Sequence, residues 1–250
     1  MRFVDTHAHL HMKHFDKDRK EIIEKLNDFP FLVNVATNIE DSYLSLSLAK
    51  NYEKIYATVG VHPHDSKDVS KDYLGVLEKL AKDEKVVAIG EIGLDYYRNI
   101  SPFEIQQKVF TEQLILAKEL NLPVVVHIRD AYKDAYNIIE MIGHFNGVIH
   151  AFSGDKEYAL KFVKLGFFLG IGGPVTYKKN ENLRDVIRFV GEENIVSETD
   201  CPYLPPQPFR GKRNEPGYVR FVVEEINRVL GEDVSETLVK NAAELFEVKL

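Results

Sequence analysis

The chain has no tryptophan, one cysteine and three methionines among its 250 residues. A lone Cys201 can form no cross-link within the chain, so no disulfide framework is expected and a reducing cytoplasm is the natural setting. Long hydrophobic runs are missing too. No stretch reaches the roughly 18 apolar residues that a membrane span needs, and none precedes the first acid in Met-Arg-Phe-Val-Asp. A soluble, intracellular protein without membrane contact is expected, with a monomer as the default assembly. No proline-, glycine- or serine-rich linker divides the chain, and positive charge is not in excess. The net charge is −7, which argues against a basic surface that coats nucleic acid nonspecifically. Bound divalent ions could still make one site locally positive. With 44% hydrophobic and 28% charged residues, the chain can bury the core of one large globular domain, residues 1–250.

What is present is an alternation. Short, β-branched apolar runs read as strands at Phe3 to Asp5, Phe31 to Val35, Ile55 to Val59, Val86 to Ile89, Pro123 to Val126, Val148 to Ile149, Phe167 to Ile171 and Ile195 to Ser197. Their nearly continuous apolar character suits a parallel sheet buried on both faces. Helix-period stretches lie between them: Asp16 to Asn27, Glu40 to Asn51, Lys71 to Lys82, Pro102 to Leu120, Tyr132 to Gly143, Lys156 to Lys164, Leu183 to Val190 and Glu215 to Leu230. Eight strand–helix units in 250 residues is the stoichiometry of a (β/α)8 barrel. An open doubly wound sheet is the rival, but it would usually place a glycine-rich phosphate turn after its first strand, where this chain has His7 and His9. A last helix, Ser235 to Val248, falls outside the count and is expected to pack against the barrel.

In a barrel of this kind chemistry sits at the C-terminal ends of the strands. The first strand ends in Asp5-Thr6-His7-Ala8-His9, and in an extended chain residues i and i+2 face the same way. His7 and His9 can therefore offer two imidazoles to one ion. The fourth strand runs into Gly90-Glu91-Ile92-Gly93-Leu94-Asp95, the fifth into His127-Ile128-Arg129, the sixth into His150-Ala151-Phe152-Ser153-Gly154 and the eighth into Glu198-Thr199-Asp200. Single histidines at strand ends are ordinarily core residues. His7, His9, Glu91, His127, His150 and Asp200 recurring at one end are better read as ligands of two divalent cations. Glu91 is the expected bridge, with Gly90 and Gly93 leaving room for close approach. Asp200 is expected to touch one ion and to act as general base.

The strings Met1 to Leu10, Gly60-Val61-His62-Pro63-His64, Gly90 to Tyr96, Leu122 to Arg129, His150 to Gly154, Glu198-Thr199-Asp200-Cys201-Pro202-Tyr203-Leu204 and Arg210-Gly211-Lys212-Arg213-Asn214-Glu215-Pro216 together resemble the TatD family of metal-dependent deoxyribonucleases, within the amidohydrolase superfamily. The likeness runs in order through essentially the whole chain. It implies a TIM barrel, a divalent-metal hydrolase and the same six ligands, and for the reaction it implies cleavage of DNA phosphodiester bonds, often from the 3′ end. Family members often carry cysteine where this chain has Ala151 and serine where it has Cys201; neither position is a ligand. Many amidohydrolases bridge their metals with a modified lysine after the fourth strand, but here Glu91 stands there and Lys85 lies at the wrong end.

Further groups are candidates for gripping substrate. His62 and His64 are expected to bind or protonate phosphate. Arg129, Arg210, Lys212 and Arg213 are expected to meet the substrate backbone as charge-assisted donors. Asp95 is expected to orient a ligand rather than bind metal. Tyr96, Tyr97, Phe152 and Tyr203 could stack on bases, although core packing is the commoner use. The mixed nitrogen and oxygen donors suit Mg, Mn, Zn, Ni or Fe, and four histidines lean away from a pure magnesium site. Two other functions fit the same residues: hydrolysis of another ester, lactone, amide or aminoacyl-tRNA bond, and metal or nucleic-acid binding without catalysis.

Overall fold

Strand order follows chain order around one parallel sheet in the computed structural model, which describes residues 2–250. The strands are β1 (Asp5–Ala8), β2 (Leu32–Asn34), β3 (Ile55–Val59), β4 (Val86–Asp95), β5 (Val124–Arg129), β6 (Gly147–His150), β7 (Phe167–Ile171) and β8 (Ile195–Ser197). The helices are α1 (Arg19–Glu24), α2 (Ile39–Asn51), α3 (Tyr73–Ala81), α4 (Phe103–Leu120), α5 (Tyr132–Ile142), α6 (Lys156–Leu165), α7 (Glu181–Val190), α8 (Val219–Leu230) and α9 (Ser235–Leu245). Each strand is followed by a helix and the sheet curls into the expected (β/α)8 barrel. No helix of the described residues is long and apolar enough to cross a membrane.

The seam between β1 and β8 closes the barrel just where the polar residues gather. Asp200 N–H bonds His7 O and His9 N–H bonds Cys201 O, each at 2.8 Å. Below them Ser197 Oγ donates to Val4 O and Thr6 Oγ1 to Ser197 O, at 2.9 and 3.1 Å. The two ends of the sheet are thus tied by side chains as well as backbone, which sets His7 and His9 beside Asp200.

Inside the barrel Val33, Val35, Val125, Val148 and Val196 form one buried cluster, to which α9 adds Val239, Ala242 and Leu245, and Phe246 just after it. Asn241 donates to Ile195 O at 2.8 Å, at the start of β8. The extra C-terminal helix therefore plugs the bottom of the barrel and leaves the C-terminal mouth open. A second, larger cluster joins the outer faces of the strands to the helices, so the strands are apolar on both sides, as their sequence requires.

Three strands keep their expected limits. β4 runs six residues beyond the expected end at Ile89, because Gly90 to Asp95 continue to pair with β5. α1 is shorter than Asp16 to Asn27, since residues 16–18 form a turn between the 3-10 turn Lys13–Phe15 and the helix, which ends at Glu24. α8 begins at Val219 rather than Glu215, because Pro216–Tyr218 makes another. α9 ends at Leu245, before Glu247 at φ +52°.

Candidate metal centre

A bulge delivers the central carboxylate. In the β4–β5 pairing Gly90 faces Val125 and Ile92 faces Val126, so Glu91 is the extra residue. Its N–H turns instead to Ala36 O at 2.8 Å. Bulges beside active sites commonly re-aim a side chain in this way. Gly93 has φ +137°, and a Cβ there would strike the carbonyl of His127, so only glycine lets the two strands approach.

Glu91 then divides its oxygens between two groups of histidines. Oε2 lies 3.4 Å from His7 Nε2 and 4.0 Å from His9 Nε2. Oε1 lies 3.0 Å from His127 Nδ1, 3.5 Å from His62 Nε2 and 3.9 Å from His150 Nε2. Asp200 Oδ1 stands 3.3 Å from His9 Nε2 and 3.9 Å from His150 Nε2. The donor atoms of His7, His9 and Glu91, of His7, His150 and Asp200, and of His62, Glu91 and His127 each fall within 4.8 Å of one another. All six residues singled out as ligands converge, and His62 joins them.

Hydrogen bonds on the far ring atoms decide which nitrogens have lone pairs to offer. His9 Nδ1 faces Val35 O at 2.7 Å, and a carbonyl can only accept, so its Nε2 is bare. His127 Nε2 lies 3.3 Å from Asp95 Oδ2, which leaves Nδ1 bare toward Glu91. His150 Nδ1 faces Glu198 Oε1 at 3.0 Å without hydrogen-bond alignment, and the negative charge there favours the hydrogen on Nδ1 and a bare Nε2. The reverse holds at His62, whose Nδ1 accepts the N–H of His64 at 3.1 Å. In the neutral ring Nε2 then carries the hydrogen, so His62 faces Glu91 as a donor.

Bare nitrogens and carboxylates only 3 to 4 Å apart must have positive charge between them, as protons or as cations. Without cations, burial opposes ionisation throughout, yet the pairs win. Glu91 is held well below the usual carboxylate range by His62, His7 and His127, and Asp200 is lowered by His9, His150 and His7. His150 is pushed up to about 10 by Glu198 and then by Glu91 and Asp200. His9 and His127 are raised by their carboxylate neighbours. His62 goes the other way: burial lowers it far, and His127 and His64 add to this. Burial thus favours the neutral ring, which can still donate a hydrogen bond from Nε2. The donor set fits divalent cations, which would take the places of these protons.

The cluster floors a cavity of about 860 Å3 whose wall includes His64, Asp65, Arg98, Arg129, Asn180 and Tyr203. His64 Nε2 is turned to Asp95 Oδ2 at 2.8 Å, and Asp95 orients both it and His127. Arg210, Lys212 and Arg213 are not on that wall. Arg213 is spent on Asp18, at 2.6 and 2.8 Å, on Glu215 at 2.9 Å and on His14 O at 2.7 Å, and Arg210 lies over the Tyr177 ring at 4.6 Å. Phe152 and Cys201 are core, and burial pushes the Cys201 thiol well up. Sequence reasoning passed over Glu198 and Arg98. The signal for Glu198 was its place two residues before Asp200, opposite Gly170, where a Cβ would collide with its carboxylate.

A family model described as TatD related DNase matches residues 4–247. An uncharacterized metal-dependent hydrolase of Bacillus subtilis, YabD, is 40% identical over 251 residues, spanning 98% of each chain. The 3′-5′ ssDNA/RNA exonuclease TatD of Shigella flexneri is 35% identical over 240 residues, spanning 92% of each. The crystal structure of YjjV, a TatD homologue from Escherichia coli, matches with a TM-score of 0.94 at 33% identity, over 99% of both chains. The chain thus belongs to the TatD related DNase family and is a metal-dependent hydrolase on a (β/α)8 barrel.

Proposed function

We propose that this chain is a two-cation phosphodiesterase that removes nucleotides from the 3′ end of DNA strands. The observation that carries the reading is the split of Glu91, whose Oε2 faces His7 and His9 while Oε1 faces His127 and His150. A carboxylate so placed is suited to join two ions. His7, His9 and Asp200 would hold one ion and His127 and His150 the other, with Glu91 shared. Bound there, the cations would supply Lewis-acid activation of water and charge neutralisation at a phosphodiester.

The remaining work falls to the chain. Asp200, kept ionised by its histidines and open to the cavity, accepts the proton of the attacking water. His62, neutral and donating through Nε2, can offer its hydrogen to a phosphate oxygen. Asp95 and Glu198 hold the rings of His127 and His150 in the tautomers that face inward. The name of the Shigella flexneri relative, an exonuclease on single-stranded DNA and RNA, supports a nucleic-acid strand as substrate.

End-labelled single- and double-stranded DNA, incubated with the purified protein and Mg2+, Mn2+, Zn2+, Ni2+ or Fe2+ in turn, tests the reading. Strands should shorten from the 3′ end only with an added cation, and Asp200→Asn should slow this by about a hundred- to ten-thousandfold, the usual worth of a general base. Absence of cation-dependent cleavage of any strand sinks it.

A further inference from the structure

We propose that the mouth seats a strand end lengthwise, with the terminal base on Tyr203 and the phosphate next to the scissile one on Arg129. This rests on the nuclease reading above and specifies what that site recognises: a nucleoside together with a second phosphate, not a lone phosphodiester.

The walls of the mouth differ by strand. In a closed sheet of sequential order β8 stands across from β4, so Tyr203, after β8, faces Arg98 and Arg129, after β4 and β5. The histidine cluster lies between them. Tyr203 is 47% exposed yet held, its ring edge-on to His9 with centroids 6.2 Å apart and to His14 at 6.1 Å. No core packing explains an aromatic ring left in that position, whereas a base has a face to lay on it.

Arg129 continues the β5 alternation past His127. Its guanidinium lies 3.9 Å over the ring of Tyr97, itself 61% exposed. Arg2, Arg19, Arg184, Arg188, Arg213 and Arg228 each pair with a carboxylate. Among the described residues Arg98, Arg129, Arg210 and Arg220 pair with none, and of these only Arg98 and Arg129 line the cavity. Stacking holds the guanidinium fork flat and leaves its N–H edges free for phosphate. The neighbouring sector repels phosphate: Asp65 is on the wall and Asp41 is close enough to act on it electrostatically. A strand entering from Tyr203 is therefore steered to the arginine side. A cavity of about 860 Å3 is of small-molecule size and suits a strand end, not a duplex.

The test uses single-stranded oligonucleotides whose linkage next to the scissile one is a neutral methylphosphonate. For the wild-type protein kcat/KM should fall by about ten- to a hundredfold, the usual worth of a charge-assisted hydrogen bond. In Arg129→Gln the same replacement should cost less than about twofold, because the contact is already gone. An abasic terminal nucleoside should likewise cost the wild type more than it costs Tyr203→Leu. Full tolerance of the methylphosphonate by the wild type overturns the proposal without any variant, and so do losses that simply multiply. Failure of the nuclease reading looks different, since then no strand is cut at all.

Discussion

Glu198 supports His150 from behind: its Oε1 lies 3.0 Å from Nδ1 of the ring and accepts the Ala151 N–H at 2.7 Å. The ring nitrogen and the oxygen are at hydrogen-bond distance but poorly aligned, and Oε2 has no partner at all, so the contact is chiefly one of charge. A carboxylate buried this deeply is tolerated only beside a positive neighbour, either the protonated ring or a cation held by it.

Replacing that charge should loosen the site. Glu198→Gln is expected to weaken cation affinity by about ten- to a hundredfold, as loss of such supporting partners typically does, with the fold intact. Gly170→Ala should act in the same direction, because its Cβ would collide with Glu198 Oε2. Titrating metal-free protein with Mn2+ or Zn2+ by calorimetry checks both. Unchanged affinity in Glu198→Gln would remove the support role.

Most of this site could be read in the sequence because a parallel barrel converts strand ends into neighbours: His7, His127, His150 and Asp200 needed only their strands to be found. Glu91 was legible as a residue, but the bulge that aims it was not, since β4 continues pairing through Gly90-Glu91-Ile92-Gly93, whose two glycines look like a loop. The loop of Arg210 to Arg213 showed the opposite limit. A cluster of cations says nothing of which carboxylates stand opposite, and Asp18, distant in sequence, claims Arg213. Glu198 and Arg98 were hidden because their meaning is relational, one set by a ring in β6 and the other by a place on the cavity wall where its guanidinium pairs with no carboxylate.

Acidity should oppose loading. In metal-free protein the raised His150 contributes stability that is fully present below its ordinary value of 6.5 and is lost as pH rises through about 10. Lowered Glu91 and Asp200 contribute stability present above 4.5 and 3.8 and lost as pH falls below those values. The metal-free melting temperature should therefore decline from about pH 6.5 toward pH 10, while the cation-loaded protein holds. Cations displace these protons, so binding should release protons and tighten with pH. Calorimetry in two buffers of different ionisation enthalpy measures that release, and finding none would contradict the assignment of charge in the cluster.

Arg213→Ala is expected to act on stability. The guanidinium ties the segment after β8 to the N-terminal side of α1 through two bonds to Asp18 and one to His14 O. Both partners are partly exposed, so solvent screening reduces the value of the pair, and a loss of about 1 to 2 kcal/mol is reasonable for a bidentate bond. In a chain of this size that lowers the melting temperature by about 2 to 8 °C. A thermal melt of the metal-free variant reads it directly, and an unchanged midpoint would return Arg213 to the list of substrate contacts.

His62 and His127 approach the same oxygen of Glu91, yet their hydrogens point to opposite roles. His127 presents a bare Nδ1 at 3.0 Å because Asp95 takes the hydrogen on Nε2. His62 presents an N–H at 3.5 Å because its Nδ1 is occupied by the backbone of His64. His127→Ala should therefore lower cation affinity or stoichiometry, whereas His62→Ala should retain cations and lose turnover, by about 10- to 100-fold for one well-placed neutral donor. His62→Gln can keep a donor in that place and should recover part of the loss. Metal content after dialysis, measured beside the kinetics, separates the two residues; cation loss from His62→Ala equal to that from His127→Ala would make both of them ligands and overturn the tautomer assignment.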